Sequence, residues 1–462
     1  MRTASTHSFE LRQTGSSAPT IDKYAFVTIL ACGYAAIIGP LIDLGVTPGQ
    51  LNNIQNAEAG LTNRIFWPAM AAVSVAFAMQ NYSRLRRLAW PPHMTCLLAY
   101  VAFAAASVLW AYSPATSSVR FAQQMMVLLS IVLPGMLAAR TADLMRGMFL
   151  CFAVGAILNL AFVLDSPGPV DGGYSGYLLG KNALGEFAGM ALLLALHQTL
   201  HPGFRRVFGV VIAVIAISLL LWSNSKTAFG LALICPLLAG VVLIIRKATR
   251  ISPAIILLSI PLCYFVVSTV TGFDMGHVSY MLYGDPTFTG RLGIWSFALH
   301  EIANRPFLGW GYQSFWLVGS DAPSVVEAQG WIARMPNAHN GYYDTMLELG
   351  YVGYAFLIAF IIATLHAVGR VADRDRGRAW FVLAAVLYVI CYNYLESLWM
   401  RGVEILWVAF VILVVDIARY YQPLPLIKAA RRSMTPSLRR LGYSRRVPLP
   451  GPRNSNGAAR SA

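Results

Sequence analysis

GRLGIWSFALHEIANRPFLGWG, residues 290–311, lies within the one long polar interruption (272–346) of a chain that otherwise runs as a near-continuous series of apolar segments. Asn337-Ala338-His339-Asn340 closes the interruption, and apolar sequence resumes at Leu347. Nine apolar runs precede it, at 24–45, 64–80, 93–112, 120–139, 146–164, 183–200, 206–222, 227–245 and 253–271, and three follow it, at 347–368, 379–394 and 403–421. Each approaches the ~20 residues that a helix needs to cross a hydrocarbon core. Pro40, Pro68, Pro134, Pro236 and Pro261 fall inside these runs and read as kinks, which membrane helices tolerate.

Composition agrees. With 57% hydrophobic and 12% charged residues and a mean hydropathy of +0.58, the 462-residue chain has too little polar surface for a water-soluble globule. The reading is an all-α polytopic membrane protein of about 12 transmembrane helices, with one large periplasmic loop containing amphipathic helices. Residues 1–23 are expected to form a cytoplasmic tail, 24–271 the first nine helices, 272–346 the large outer loop, 347–421 the last three helices, and 422–462 a basic tail expected to be disordered.

Basic residues support this threading. Arg84, Arg86 and Arg87, then Arg140 and Arg146, Arg205 and Arg206, Arg246, Lys247 and Arg250, and Arg370 through Arg378 fall in alternate connections, which the positive-inside rule places in the cytoplasm with both termini. The tail from Gln422 carries nine basic and no acidic residues, so the net charge of +15 suits anionic lipid headgroups and calls for no nucleic acid. The polar N-terminus lacks a secretory-signal pattern, so the first run is expected to be an uncleaved anchor. All six cysteines lie in predicted helices without CxxC spacing, so neither a disulfide nor a metal site is expected. No cofactor is implied.

The outer segment holds fourteen aromatic, three basic and six acidic residues, which suits a loop folded against the membrane. Within it Ile294, Trp295, Ala298, Leu299 and Ile302 recur at helical spacing, predicting an interfacial amphipathic helix from Arg291 to Asn304. Arg291 in its first turn opposes the helix dipole unless an anion offsets it, and phosphate suits both free helix N–H groups and a guanidinium fork. His339 precedes a helix starting near Gly341, where the positive dipole end favours a neutral ring able to act as a general base. Taken alone, Arg291 could equally snorkel to headgroups and His339 pack against its loop. The aromatic residues could stack on sugars, but an aromatic belt at the membrane boundary gives the same composition.

These motifs resemble the O-antigen ligase and Wzy-type polysaccharide polymerase superfamily of bacterial inner-membrane glycosyltransferases. A ligase-like signature is met by His339, Asn340, Gly350 and Gly353, and a second element by Arg291, its Trp-containing helix, and Pro306, Gly309 and Gly311. Gly180-Lys181-Asn182 and Ser223-Asn224-Ser225-Lys226 are weaker matches, and Lys226 stands where many members carry arginine. Asn393-Tyr394-Leu395-Glu396-Ser397, followed by Arg401, suggests closeness to exopolysaccharide polymerases.

The resemblance implies a polyprenyl-diphosphate-linked oligosaccharide donor, a glycan acceptor hydroxyl, and metal-independent transfer with inversion. His339 would be the base and Arg291 the catalytic cation, with Lys226, Lys181, Asn340 and Arg305 binding substrate. Membrane lipids, a flippase and a chain-length co-polymerase would be its partners. Polymerisation of repeat units is the leading expectation and ligation onto lipid A-core the alternative. A transporter or flippase would need more midplane ionisable groups than Glu186, Asp43 and Asp416 supply. A scaffold that retains an inactive motif is a third alternative.

Overall fold

A computed structural model describes residues 22–43, 61–169, 172–272, 276–277, 280–281 and 290–422. The tails assigned to the cytoplasm lie outside them. Among the described residues the fold is all-helical, without a β-strand. The main helices are α1 (Lys23–Ile42), α2 (Leu61–Gln80), α3 (Pro92–Ser107), α4 (Pro114–Leu137), α5 (Thr141–Asp165), α6 (Lys181–Thr199), α7 (Phe204–Ser223), α8 (Lys226–Thr249), α9 (Pro253–Thr271), α10 (Arg291–Asn304), α11 (Gly341–Arg374), α12 (Arg376–Tyr392) and α13 (Ile405–Arg419).

Each apolar run coincides with a helix, and eight of the helices are long and apolar enough to cross a membrane, so the chain is a polytopic membrane protein. The expected count of twelve is not reached by that measure: α2, α6, α12 and α13 fall short of it. Two of these, α12 and α13, are only 17 and 15 residues long, and they form the middle of the bundle. Every residue of α13 from Leu406 to Ala418 is buried, and α13 touches α1, α3, α4, α5, α6, α11 and α12. A helix apolar on all sides is stable only when surrounded, here by protein. By contrast, α9 buries only Pro253, Ala254 and Leu257 and presents apolar side chains along the rest of its length, as a lipid-facing helix does.

The prolines lie inside helices and do not end them. Pro40 has no N–H for the Ala36 carbonyl one turn earlier, and the helix passes through a π-turn at Tyr34–Ile38. The Tyr177 hydroxyl donates to that Ala36 carbonyl at 2.7 Å, which satisfies the orphaned acceptor.

The segment before α11 is built into the bundle through a break in α11. Gly350 adopts φ 63° and ψ −170°, a conformation essentially reserved for glycine. The break frees backbone groups that chain 306–311 then bonds: Trp310 and Gly311 donate N–H to the carbonyls of Leu347 and Glu348, both at 2.8 Å, and Tyr351 N–H donates to Pro306 at 2.7 Å. The chains approach so closely that a Cβ on Gly350 would overlap the Phe307 carbonyl, which explains why both motifs need glycine. Gly350→Ala is expected to cost at least about 3 kcal/mol from the disfavoured φ plus overpacking. The check is thermal unfolding in detergent, where an unchanged Tm would refute this account of the break.

α10 forms at the predicted residues but not in the predicted setting. Its apolar face does not lie on the membrane: Ile294, Trp295, Ala298 and Ile302 pack with Trp310, Phe315, Trp316, Ala338 and Leu347 in a second, smaller core. Leu299, expected on that face, is exposed, and Glu301 is buried there instead. Burial pushes the Glu301 carboxyl up to about 6, helped by a hydrogen bond and charge from Glu327. A carboxyl raised on folding stabilises the fold below its unfolded value, and that contribution disappears as pH rises through about 6. Glu301→Gln, which mimics the protonated form, should therefore raise Tm at pH ~7.5 and give no advantage below pH ~4. Equal gains at both pH values would contradict this.

Candidate active site

Four helices bring their N-termini to one cavity of about 440 Å³. Lys181 opens α6, Lys226 opens α8 and Arg291 opens α10, and none of these three starts is closed by a capping side chain. Asn340 caps α11, with His339 just before it. Lys181, Asn182, Asn224 to Thr227, Arg291, Ile294, Trp331, Met335, His339, Tyr392 and Glu396 line the space. A cation in the first turn of a helix is unfavourable against the dipole, and here it occurs three times around one cavity. Helix N-termini and cations together form an anion site. Three fixed positive side chains set against one carboxylate, Glu396, leave an excess of about two charges, which suits a diphosphate.

His339 stands in the left-handed region at φ 46°, and its neighbours fix it there. Its N–H donates to Asn337 Oδ1 at 2.9 Å, Ala338 N–H to Asp344 Oδ1 at 3.1 Å, and Asn340 N–H to Ser397 Oγ at 3.1 Å. Trp295 Nε1–H holds the Ala338 carbonyl at 3.1 Å. A disfavoured backbone angle fixed by so many bonds is characteristic of functional positions.

Glu396 ties the centre together. Its Oε2 lies 2.8 Å from His339 Nδ1, and its Oε1 accepts from Arg291 Nη2 at 2.8 Å and from Asn182 Nδ2 at 3.2 Å. Burial alone would push its carboxyl up, but the hydrogen bond and charge of His339 and the Arg291 guanidinium outweigh it and hold the group below the usual carboxylate value. With Nδ1 engaged by a carboxylate, the other ring nitrogen, Nε2, is the one left to take a proton.

On the other side of α11, Arg401 Nη2 binds Asp344 Oδ2 at 3.1 Å and Glu348 Oε1 at 2.8 Å. Asp344 also accepts from Trp316 Nε1 at 2.7 Å. The α12–α13 connection therefore grips the start of α11 at several points, among them Glu396, Ser397 and Arg401.

The structure thus gathers Lys181, Lys226, Arg291 and His339 in one cavity. Asn340 sits beside it as a helix cap, accepting from the N–H groups of Tyr342 at 3.0 Å and Tyr343 at 3.1 Å. Arg305 is not among the lining residues; its guanidinium stacks 4.0 Å over the Trp310 ring. Glu396 and Asn182 were legible only as parts of short motifs, and no role for either could be read. Beyond its motif, the signal for Glu396 is an acid at the end of a long apolar run. Asp344 pairs with Arg401 and Glu301 with Glu327, and neither pair lines the cavity. Among the described residues no three His, Cys, Asp or Glu side chains converge as a metal site would require.

A family model described as O-Antigen ligase matches residues 211–358, which hold Lys226, Arg291, His339, Gly350 and Gly353, while Lys181 and Glu396 lie outside it. The chain is 26% identical over 321 residues to the exopolysaccharide production protein ExoQ of Rhizobium meliloti (strain 1021), covering 65% of this chain and 72% of that protein. A protein of Rickettsia bellii (strain RML369-C) named "Putative polysaccharide ligase" is 25% identical over 122 residues, 25% of this chain and 30% of that one. A Rickettsia conorii (strain ATCC VR-613 / Malish 7) protein named "Putative polysaccharide ligase RC0486" is 23% identical over a stretch of the same length. With the cavity and its two glycine-dependent motifs, these likenesses support a place for the chain in the O-antigen ligase and Wzy-type superfamily.

Proposed function

We propose that this protein transfers a glycan from a polyprenyl diphosphate to a sugar hydroxyl at the outer face of the bacterial inner membrane, polymerising the repeat units of an exopolysaccharide or O-antigen. The observation that carries the reading is the single cavity in which three cationic helix starts face a carboxylate-bound histidine. Lys181, Lys226 and Arg291 hold the diphosphate. His339 Nε2 takes the proton of the acceptor hydroxyl as its oxygen bonds to the anomeric carbon, and the bond from that carbon to the diphosphate breaks. The diphosphate leaves as an anion stabilised by the cations, and attack from the opposite face inverts the carbon. Metal independence belongs to the proposal, because preorganised cations at a leaving phosphate can supply the charge that a divalent ion supplies elsewhere.

Glu396 acts through His339 and Arg291 as a positioning residue. Polymerisation is favoured over ligation by the exopolysaccharide-production relative, which is matched over most of its length. Ligation onto lipid A-core is the second reading, favoured by the family description and the rickettsial names. Glycan analysis of cells lacking this chain separates them. Accumulation of a single lipid-linked repeat with loss of long polymer supports polymerisation, and complete lipid-linked polymer missing only from lipid A-core supports ligation. Unaltered glycans would refute both.

A further inference from the structure

The cavity also has an apolar lining that the anion chemistry does not use: Ile294, Met335 and Trp331. The segment 272–346 contains four tryptophans, and three of them, Trp295, Trp310 and Trp316, are at most 8% exposed in the small core. Trp331 is 52% exposed. It stands on the short turn Gly330–Arg334, and its ring edge covers Gly290 at the start of α10, where a methyl group would meet Cζ2 at 3.9 Å.

An exposed tryptophan on a membrane protein is ordinarily an interfacial anchor. Trp331 stands among the exposed polar residues Glu327, Gln329 and Arg334. Its ring instead borders the cavity that holds His339 and Arg291. Binding sites pair an apolar or aromatic wall with a few convergent polar groups, and an aromatic face, which carries partial negative charge, attracts the polarised C–H groups of a pyranose.

We infer that Trp331 is a carbohydrate-stacking platform of this cavity, holding a sugar ring of the bound glycan while the cationic residues hold its diphosphate. The inference rests on the proposed glycosyl transfer. It assigns the glycan contact to a flat ring, so aromatic replacements keep it and aliphatic ones do not.

The test uses the full chain in proteoliposomes, supplied with lipid-linked repeat unit extracted from cells that lack this protein. Trp331→Ala should raise the half-saturating concentration about ten-fold, with the maximal rate within about two-fold. Trp331→Phe should recover most of the loss and Trp331→Leu little of it. Inhibition by inorganic pyrophosphate, which probes the cationic wall alone, should be unchanged in all three.

The free repeat glycan, cleaved from its carrier, serves only as acceptor and locates the contact. A raised half-saturation for that glycan places the ring on the acceptor, and a change confined to the lipid-linked substrate places it on the donor. An unchanged half-saturation in Trp331→Ala, leucine performing as well as phenylalanine, or a parallel shift in pyrophosphate inhibition would each overturn the platform while leaving transfer itself standing. Absence of turnover by the wild type would overturn both.

Discussion

His339→Ala should lower the rate of transfer by about 10²- to 10⁴-fold, the usual contribution of a positioned general base. The effect belongs in the maximal rate, because in the proposed transfer the ring nitrogen acts on the acceptor proton during bond formation and the anion is held elsewhere. Alanine is not the cleanest replacement, since His339 sits at φ 46°. Asparagine tolerates the left-handed region and lacks a basic nitrogen, so His339→Asn should be equally inactive and at least as stable. Rates and Tm of both variants check this. Glu396→Gln should retain the fold and lose part of the rate, with an altered pH profile, because its negative charge then no longer faces Nδ1 and Arg291. In the wild type the depressed carboxyl value keeps that charge in place as pH falls toward the ordinary carboxylate range. The contribution of the Glu396–Arg291 pair to stability is present above the unfolded value, and is lost only as pH falls through the lower folded one.

The second large effect is expected at Arg291. Arg291→Ala should cost about 10²- to 10³-fold, comparable to removing one preorganised donor from a developing anion. Two losses combine: a cation at the start of α10 disappears, and Glu396 loses a 2.8 Å partner. Arg291→Lys should restore charge but not the fork that can hold carboxylate and phosphate together, so recovery is partial. Lys226→Ala and Lys181→Ala should be milder, each removing one point charge. Inhibition by inorganic pyrophosphate is the direct check, weakening most in Arg291→Ala. Full pyrophosphate sensitivity in all three alanine variants would contradict the assignment of this wall.

Much of the fold was legible because the hydrocarbon core demands long apolar runs, and those runs are plain in the chain. What they could not give was the distinction between a helix that faces lipid and one that protein surrounds. α9 and α13 read alike as apolar segments, yet α9 is largely exposed and α13 is wholly enclosed and short. The helical spacing of the apolar residues of α10 reads as an interfacial helix; the partners of that stripe are Trp310, Phe315 and Trp316, brought back by the turn at Gly309 and Gly311.

In the site, His339 and Arg291 could be found from local patterns. Lys181 and Lys226 were weaker candidates, since each is an ordinary helix-flanking lysine until packing sets it beside the others. Glu396 lies 57 residues beyond His339, and no local periodicity links them. Arg305 shares a motif with Arg291 but comes just after the end of α10, where stacking on Trp310 takes it out of the cavity lining.

The most direct test of the central claim is a stoichiometric assay of purified wild type and His339→Asn in proteoliposomes, counting free polyprenyl diphosphate released against glycosidic bonds formed. The account predicts one diphosphate carrier per new bond for the wild type, unaffected by EDTA, and neither product above background for the variant. Bond formation by His339→Asn at the wild-type rate, or bonds formed without release of the diphosphate, would contradict it.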